Sequence, residues 1–379
     1  MLSLSVDAMA DIEPTVPDAR RFADCDFDGK RAAEMSRAFA AIDLGTNNCR
    51  LLVGTPAGEG FRVLDSFSRT VRLGEGLEET GRLGDAAMDR AILALQGCAQ
   101  RLARRPIRAL RAVATEACRR AENGAAFLAR ARAETGLPIE VISTREEAEL
   151  ALESCAPLLR GEARRALLFD IGGGSTELAW VRLGDGDTGG ETRLIGTVSL
   201  PLGVVTMAER WPDVADTEEG FEAMVADVVR QLLPFETVHR ISQEVRQGGV
   251  VLLGTSGTVT TLAGIALDLP RYSRAAVDGT VLAGPVAGEA LAVLRAMGRE
   301  GLERHPCVGP ERAEFVLPGC AVFAAIHLLW PAPHVVVADR GLREGMLLRL
   351  MRAPMRGGRS TPMRTASDEN GLAGAAQPA

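Results

Sequence analysis

The amino-acid sequence predicts an α/β protein of two similar domains, with mixed β-sheets flanked by helices and a cleft between the domains. Three observations lead to this prediction. The chain has 379 residues, 46% of them hydrophobic, which is enough for two domains that each have a core. Strand-like and helix-like segments alternate along it. One opening pattern, an apolar strand that runs into Asp, Gly and hydroxyl or amide residues, begins near Asp43 and occurs again near Asp170.

The two ends of the chain differ in composition from its middle. Residues 1–36 mix Asp, Pro, Ala and Arg without sustained periodicity, and residues 353–379 are rich in Arg, Gly, Pro, Ser and Ala. Both ends are predicted to be disordered tails. The first domain is then expected at 37–151 and the second at 152–340, with the helix near 341–352 as a segment that can return to the first domain.

Short apolar runs and helical periods define the elements of the first domain. Its predicted strands lie at 39–43, 49–53, 63–73, 107–114 and 139–142. Its predicted helices lie at 85–104, near 124–135 and near 145–157. In the first of these helices Asp85 is the expected N-cap. One apolar face of that helix has i+3 and i+4 spacing and consists of Met88, Ile92, Leu95, Ala99 and Leu102.

The second domain shows the same alternation. Its predicted strands lie at 166–170, 177–181, 250–253 and 335–338. Its predicted helices lie near 217–233, from about 258, near 285–298 and near 311–330, before the last helix near 341–352. Because each half opens with a hairpin and continues with crossover connections, the sheets are expected to be mixed.

Charge and hydropathy exclude several classes of partner. A net charge of −7 argues against non-specific binding to nucleic acid, and an aromatic content of 4% leaves little for stacking on bases. The longest apolar run, 320–330, is interrupted by His327 and is too short to span a bilayer. The first thirty residues contain acids throughout and lack the apolar stretch of a signal peptide. We therefore expect a cytoplasmic protein that binds neither nucleic acid nor a membrane.

Metal sites built from cysteine or histidine are not predicted. The seven cysteines form no Cys-x-x-Cys pair, and their odd number favours reduced, mostly buried thiols over disulfides. The four histidines are dispersed and are interpreted as surface or core residues. They are His239, His305, His327 and His334.

In both copies of the opening pattern, an Asp lies where an apolar strand ends and glycine follows. Glycine lets the backbone approach a ligand closely, and a turn of this kind can direct its N–H groups at phosphate. The candidate phosphate-binding residues are Gly45, Thr46, Asn47 and Asn48 in the first copy and Gly172, Gly173, Gly174, Ser175 and Thr176 in the second. Asp43 and Asp170 would repel phosphate but could together hold Mg²⁺ through water. Two ordinary Asp-Gly hairpin turns are the alternative interpretation.

A third glycine motif follows the strand predicted at 250–253. It offers further candidate phosphate-binding residues, which are Gly254, Ser256, Gly257 and Thr258. Thr258 or Thr260 is the expected cap of the next helix, and the N-terminus of a helix is an anion site. Alone this motif is weak, because such loops are common before helices. No P-loop and no Gly-x-Ser-x-Gly nucleophile elbow is present. The three glycines at 172–174 lead into a predicted strand and not into the helix that a dinucleotide fingerprint needs.

With these three motifs the chain resembles the exopolyphosphatase / guanosine pentaphosphate phosphohydrolase (Ppx/GppA) family of the actin-like ATPase superfamily. Further segments match the family in order: Ala114-Thr115 with Arg119, Ile142-Ser143 with Glu146-Glu147-Ala148, and residues 339–345. The resemblance covers about residues 37–352. It implies two actin-like (ribonuclease H-like) domains with a cleft between them.

The resemblance also implies roles for individual residues. Glu147 matches the catalytic glutamate of the family and Arg119 a phosphate-binding arginine. Asp43 and Asp170, with Glu177 as a further candidate, match positions associated with Mg²⁺, which Mn²⁺ could replace. At the start of a helix, Glu147 could deprotonate an attacking water. On the residues alone, the preferred interpretation of the acids at 146, 147 and 149 is that they lie in the first turn of a helix and complement its dipole.

The function expected from the resemblance is removal of the terminal phosphate of inorganic polyphosphate, with Arg50 and Arg69 as further phosphate clamps. Guanosine pentaphosphate (pppGpp) is the alternative substrate. A non-catalytic regulator that binds (p)ppGpp or polyphosphate, a kinase of the same superfamily and a filament protein are the alternatives to this activity. The segment 142–148 argues against the kinase.

Two departures from the family pattern stand out. Asn48 takes the place of a second hydroxyl residue, and the chain is too short for the helical C-terminal module of long members. The missing module makes processive action on long polymers less expected. Relatives suggest a homodimer.

Overall fold

Two β-sheets organise the protein. The structure, a computed structural model, describes residues 37–159, 163–184, 192–212 and 217–353. The predicted tails, 1–36 and 353–379, lie outside these residues except for Ala353. In the part of the chain that the structure describes, no helix is both long and apolar enough to cross a membrane.

The first sheet has five strands in the order β3-β2-β1-β4-β5. The strands are β1 (Phe39–Leu44), β2 (Asn48–Ala57), β3 (Gly60–Thr70), β4 (Ala109–Ala114) and β5 (Ile139–Val141). β1, β2 and β3 form an antiparallel meander, whereas β4 and β5 run parallel to β1. The helices of this half are α1 (Leu77–Thr80), α2 (Asp85–Leu102), α3 (Glu116–Arg120), α4 (Gly124–Thr135) and α5 (Thr144–Cys155).

The second sheet has six strands in the order β10-β11-β9-β6-β7-β8. The strands are β6 (Arg165–Ile171), β7 (Thr176–Arg182), β8 (Arg193–Leu200), β9 (Val250–Thr255), β10 (Val281–Ala283) and β11 (His334–Ala338). β6, β9 and β11 are parallel, while β7, β8 and β10 pair antiparallel with their neighbours. The predicted α/β class with mixed sheets is therefore confirmed.

The remaining helices follow in the second half of the chain. They are α6 (Val204–Arg210), α7 (Glu218–His239), α8 (Ile241–Gln247), α9 (Ser256–Ala266), α10 (Arg274–Val277), α11 (Gly284–Ala296), α12 (Gly298–Arg304), α13 (Ala313–Leu329) and α14 (Leu342–Arg352). The central strands of both sheets are short apolar runs that are buried on both faces, as expected for strands covered by helices.

α5 lies between the two sheets and joins their cores, and α14 packs against α5 and the first sheet. Leu150 of α5 and Met346 of α14 pack with Phe39 and Val113 of the first sheet. The opposite side of α5 packs on the second sheet, with Cys155 in the same cluster as residues of β6, β9 and β11. Because α5 contacts both sheets, its N-terminal turn is held in a defined position between them.

Two predicted helix caps are wrong. The N-cap of α2 is Gly84, without a side-chain hydrogen bond, and Asp85 is the first residue of the helix. α9 begins at Ser256 with Thr255 as its N-cap, so Thr258 and Thr260 lie inside the helix. The Thr260 hydroxyl hydrogen-bonds backward to the Ser256 carbonyl at 3.1 Å. In both cases the chain enters the helix directly from an extended residue, and the polar side chain that follows is not needed as a cap.

The cysteines within the described residues behave as apolar side chains. All six, at 49, 98, 118, 155, 307 and 320, are free and buried. Burial raises the pKa of Cys118 to about 12. Thiols in such surroundings are small core residues.

Candidate active site in the cleft between the sheets

The predicted motifs meet at the carboxyl ends of the parallel strands. Asp43 lies near the end of β1, and Asp170 near the end of β6 pairs in register with Thr255 of β9. Thr255 also pairs with Ala338 of β11, so residues 339–344 follow at the same edge. Together these segments line a cleft of about 670 Å³. The carboxyl edge of parallel strands is where ligands of open α/β sheets bind.

The two copies of the opening pattern form equivalent turns. The N–H of Gly45 donates to the carbonyl of Asn48 at 2.9 Å, and the N–H of Gly172 donates to the carbonyl of Ser175 at the same distance. Each turn connects two antiparallel strands, β1 to β2 and β6 to β7. The repeated sequence pattern therefore corresponds to a repeated local structure.

These two turns also contact each other across the cleft. A Cβ atom on Gly174 would lie 2.5 Å from the Thr46 Oγ1 and 3.0 Å from its Cγ2. A Cβ atom on Gly173 would lie 3.2 Å from the Asn47 Cβ. A side chain on Gly174 would therefore force Thr46 to move, and one on Gly173 would be tightly packed against the other turn.

Seven acidic side chains line the cleft, and the four with predicted roles are Asp43, Asp170, Glu147 and Glu177. Burial raises the pKa of Asp170 to about 6 and that of Glu177 to about 7. Burial also raises the pKa of Asp43, and burial together with the charge of Glu177 raises the pKa of Glu147 well above its ordinary range. Arg50, which lies opposite Asp43 across the β1–β2 pair, opposes the increase at both aspartates.

Glu177 is held by two serine hydroxyls. Ser175 donates to the Glu177 Oε1 at 2.5 Å and Ser199 donates to the same oxygen at 2.9 Å. Thus the hydroxyl of Ser175, a predicted phosphate ligand, is engaged with the carboxylate of the same motif. These hydrogen bonds favour the ionised form of Glu177, although burial outweighs them.

Glu147 lies in the first turn of α5. The helix is capped by the Ser143 Oγ, which accepts from the N–H of Glu146 at 3.2 Å. Arg119 Nη1 lies 3.3 Å from the Glu147 Oε2. A carboxylate that is buried near other carboxylates and held by one guanidinium is a candidate general base, because its raised pKa favours proton uptake near neutral pH.

The acidic set fits a hard divalent cation bound through water. Asp43 Oδ1 is buried and has no hydrogen-bond partner among the described residues. Three further carboxylates with raised pKa values face the same space, and a cation would compensate their mutual repulsion. Within the described ranges, no three side chains of His, Cys, Asp or Glu are grouped closely enough to enclose a metal directly. Water would therefore supply most of the ligands.

Comparison with known proteins identifies the family. Residues 53–353 match the model of the Ppx/GppA phosphatase family. The chain belongs to the Ppx/GppA phosphatase family. This membership makes it a phosphohydrolase at the level of the family.

Solved structures of similar proteins cover nearly the whole described chain. A Ppx/GppA family member from Aquifex aeolicus is 28% identical with a TM-score of 0.67, and the match covers 83% of this chain and 97% of that one. An exopolyphosphatase-like protein is 30% identical with a TM-score of 0.74 and the same coverage. An exopolyphosphatase from Cytophaga hutchinsonii, 23% identical with a TM-score of 0.73, covers 83% of this chain and 97% of its own and shares the fold. The fold is therefore actin-like, as the sequence predicted.

Most of the predicted site residues of this Ppx/GppA family member line the cleft. Three do not. Arg119 lies behind Glu147 and donates to Glu116, the Ile142 carbonyl and Glu147 itself. Thr176 is fully buried and donates to the Leu202 carbonyl at 2.7 Å. Gly254 is enclosed by the core, where a Cβ atom would lie 2.5 Å from the Phe169 ring.

The cleft also contains arginines to which the sequence assigned no role. These are Arg312, Arg340 and Arg343, which line the cleft in addition to Arg50 and Arg69. Burial lowers the pKa of Arg343, which faces Asp43. Arg343 belongs to segment 339–345, which matches the Ppx/GppA pattern, and that match was the signal that could have assigned it to the site.

Proposed function

We propose that the protein is an exopolyphosphatase that hydrolyses the terminal phosphoanhydride bond of inorganic polyphosphate. The observation that carries this proposal is the contact of the two glycine turns beside Glu147. Thr46 of one turn meets Gly174 of the other, and both line the cleft that contains Glu147. A linear chain of phosphates is a ligand that can contact both turns at once.

The arginines of the cleft support a polyanionic substrate. Five of them lie along the cleft: Arg50, Arg69, Arg312, Arg340 and Arg343. Guanidinium groups bind phosphate oxygens through paired N–H groups and keep their charge when partly buried. A substrate with several consecutive phosphates would satisfy more of them than a single phosphate ester.

In the proposed reaction Glu147 is the general base. It takes a proton from a water whose oxygen attacks the terminal phosphorus. The P–O bond to the next phosphate breaks, and the products are orthophosphate and a chain shorter by one phosphate. Because Arg119 contacts Oε2, the other carboxylate oxygen of Glu147 is the one that would face the water.

We further propose Mg²⁺ as the cofactor, with Mn²⁺ as a substitute. Asp43 and Asp170 would hold it through water, with Glu177 as the third candidate. When bound, the ion would supply positive charge against the negative charge that develops on the phosphate oxygens. The unpartnered Oδ1 of Asp43 supports this assignment.

Polyphosphate is preferred over pppGpp as the first candidate substrate. Both end in a phosphoanhydride, but a guanine base would also need stacking and contacts to its edges. Phe315 is the one aromatic side chain along the described cleft. It is buried, and the guanidinium of Arg72 lies 5.8 Å above the centre of its ring. Polyphosphate needs no base pocket.

The decisive experiment measures phosphate release by the purified full chain with Mg²⁺. Polyphosphates of several lengths, pppGpp, and ATP with common kinase acceptors are compared for the wild type and Glu147→Gln. We expect release from polyphosphate, and a loss of about 10²–10⁴-fold in Glu147→Gln with polyphosphate binding nearly unchanged. Release only from pppGpp would replace the substrate, and transfer to an acceptor would replace the reaction class.

Glu149→Gln is the matched control on the same helix. Glu149 pairs with Arg145 at 2.9 Å on the exposed side of α5. This variant is expected to release phosphate at the wild-type rate. Equal activity of Glu147→Gln and Glu149→Gln would contradict the proposed role of Glu147, and equal loss of binding and release in Glu147→Gln would assign that carboxylate a structural role.

A further inference from the structure

A second glutamate lies behind the proposed base. Glu116, the first residue of α3, is 8% exposed and is not among the residues that line the cleft. Its Oε2 accepts two hydrogen bonds from Arg119, from Nε at 3.1 Å and from Nη2 at 2.6 Å. Two donors of one guanidinium on one carboxylate define the direction of the arginine side chain.

The remaining amino group of Arg119 points at the proposed base. Nη1 donates to the carbonyl of Ile142 at 2.9 Å and to the Glu147 Oε2 at 3.3 Å. Burial alone would lower the pKa of Arg119, but Glu147 and Glu116 raise it above its ordinary value. Arg119 is therefore fully charged and directed by protein groups on all three nitrogens.

We propose that Glu116 is a positioning residue for hydrolysis. It fixes Arg119, and Arg119 in turn holds one oxygen of Glu147 so that the other faces the attacking water. The inference rests on the proposed function, because it requires Glu147 to be the base. It also assigns Arg119 a task different from direct phosphate binding.

An ordinary helical ion pair does not account for this arrangement. Exposed pairs three residues apart stabilise a helix only weakly. Here α3 has five residues, and Glu116 is withdrawn from solvent. Its Oε1 faces Arg120 Nε at 3.9 Å, and Arg120 Nη2 contacts Glu78 at 2.8 Å. Glu116 thus lies between two arginines, and its loss would leave both less constrained.

The test compares Glu116→Gln, Glu116→Asp and the control Glu122→Gln. Glu122 pairs with Arg82 at 3.1 Å on the exposed surface near α3. We expect kcat to fall about tenfold to a hundredfold in Glu116→Gln with KM and direct polyphosphate binding unchanged. Glu116→Asp keeps the charge and should recover part of kcat, and Glu122→Gln should match the wild type. Thermal unfolding of each variant shows that it is folded.

A double variant separates this inference from the proposed function. If Glu116 acts through Glu147, adding Glu116→Gln to Glu147→Gln should not lower the residual rate further. A further fall by the same factor as in the single variant would overturn the inference. Two other results would overturn the inference if Glu147→Gln is inactive. One is wild-type kcat in Glu116→Gln, and the other is an effect of Glu116→Gln that is confined to KM. Full activity of Glu147→Gln would overturn the proposed function and this inference together.

Discussion

Gly174 and Thr46, which lie in turns of different sheets, are in direct contact: a Cβ atom on Gly174 would come within 2.5 Å of the Thr46 Oγ1. Thr46 is β-branched and 5% exposed, so it has little freedom to turn away. We predict that Gly174→Ala separates the two turns at a cost of about 1–3 kcal/mol. Because both turns would have to bind one substrate, kcat/KM for polyphosphate should fall about tenfold or more.

Gly288→Ala is the control for the loss of a glycine. Gly288 lies in α11, and a Cβ atom there would meet nothing within 4 Å. Alanine in a helix is more stable than glycine by about 1 kcal/mol. This variant should therefore unfold at a slightly higher temperature and keep full activity. Wild-type kcat/KM in Gly174→Ala would show that the contact of the turns is not needed for hydrolysis.

Asp43 should determine the metal requirement. Its Oδ1 is buried without a partner in the described part of the chain, and Arg50 lies opposite it in the sheet. We expect Asp43→Asn to raise the Mg²⁺ concentration for half-maximal phosphate release about 10–100-fold, as for groups that hold a metal through water. Asp89→Asn, which alters an exposed pair with Arg130, should leave the Mg²⁺ titration unchanged. An unshifted titration in Asp43→Asn would remove Asp43 from the metal site.

Much of the fold could be predicted from local patterns. The strands that open each half are apolar runs buried on both faces, so their composition alone reveals them. β8 was not predicted, since Leu200 is its one fully buried residue and its alternation is weak. α7 continues past its expected end to His239 and contains Pro234. Tertiary packing, rather than helix propensity, decided where α7 ends.

The site was predictable in its residues but not in their contacts. Both Asp-Gly turns could be located because the pattern recurs, yet their mutual contact depends on how the two sheets pack around α5. Arg119 was expected to bind phosphate, but its donors are directed to Glu116, Ile142 and Glu147. A sequence motif identifies the residue type that a site needs, whereas the direction of a long side chain depends on partners that are distant in the chain.

Asp278 should make stability depend on acid pH. It accepts from the N–H of Asp339 at 3.0 Å and from Arg340 Nε at 3.1 Å, which fixes the segment after β11 that lines the cleft. Burial alone would raise the pKa of Asp278, but these hydrogen bonds hold it below its ordinary value of 3.8. A depressed pKa stabilises the fold above the unfolded pKa, and this contribution is lost as the pH falls through the folded pKa.

We therefore predict that Asp278→Asn lowers the free energy of unfolding by about 1–3 kcal/mol at pH 7. The difference from the wild type should shrink below about pH 4, where the wild type loses the same charge. Urea unfolding at pH 7 and at pH 3 measures both values. Glu300→Gln, in an exposed pair with Arg304, should change stability little at either pH. A difference that stays constant between the two pH values would show that the charge of Asp278 does not contribute.

Gly345 of α14 should be essential for the position of the proposed base. A Cβ atom on Gly345 would lie 2.7 Å from the carbonyl carbon of Leu150 and 3.1 Å from its Cα, so the two backbones leave no room for a side chain. Backbone cannot move aside as a side chain can, and Gly345→Ala must push α14 away from α5. Glu147 lies one turn before Leu150 on α5, and Arg343 lies two residues before Gly345. The variant should therefore lose both stability, by about 1–3 kcal/mol, and phosphate release, whereas Gly288→Ala should lose neither. Unfolding temperature and kcat, measured together, check this, and a Gly345→Ala protein with wild-type values of both would mean that the helices are not in backbone contact.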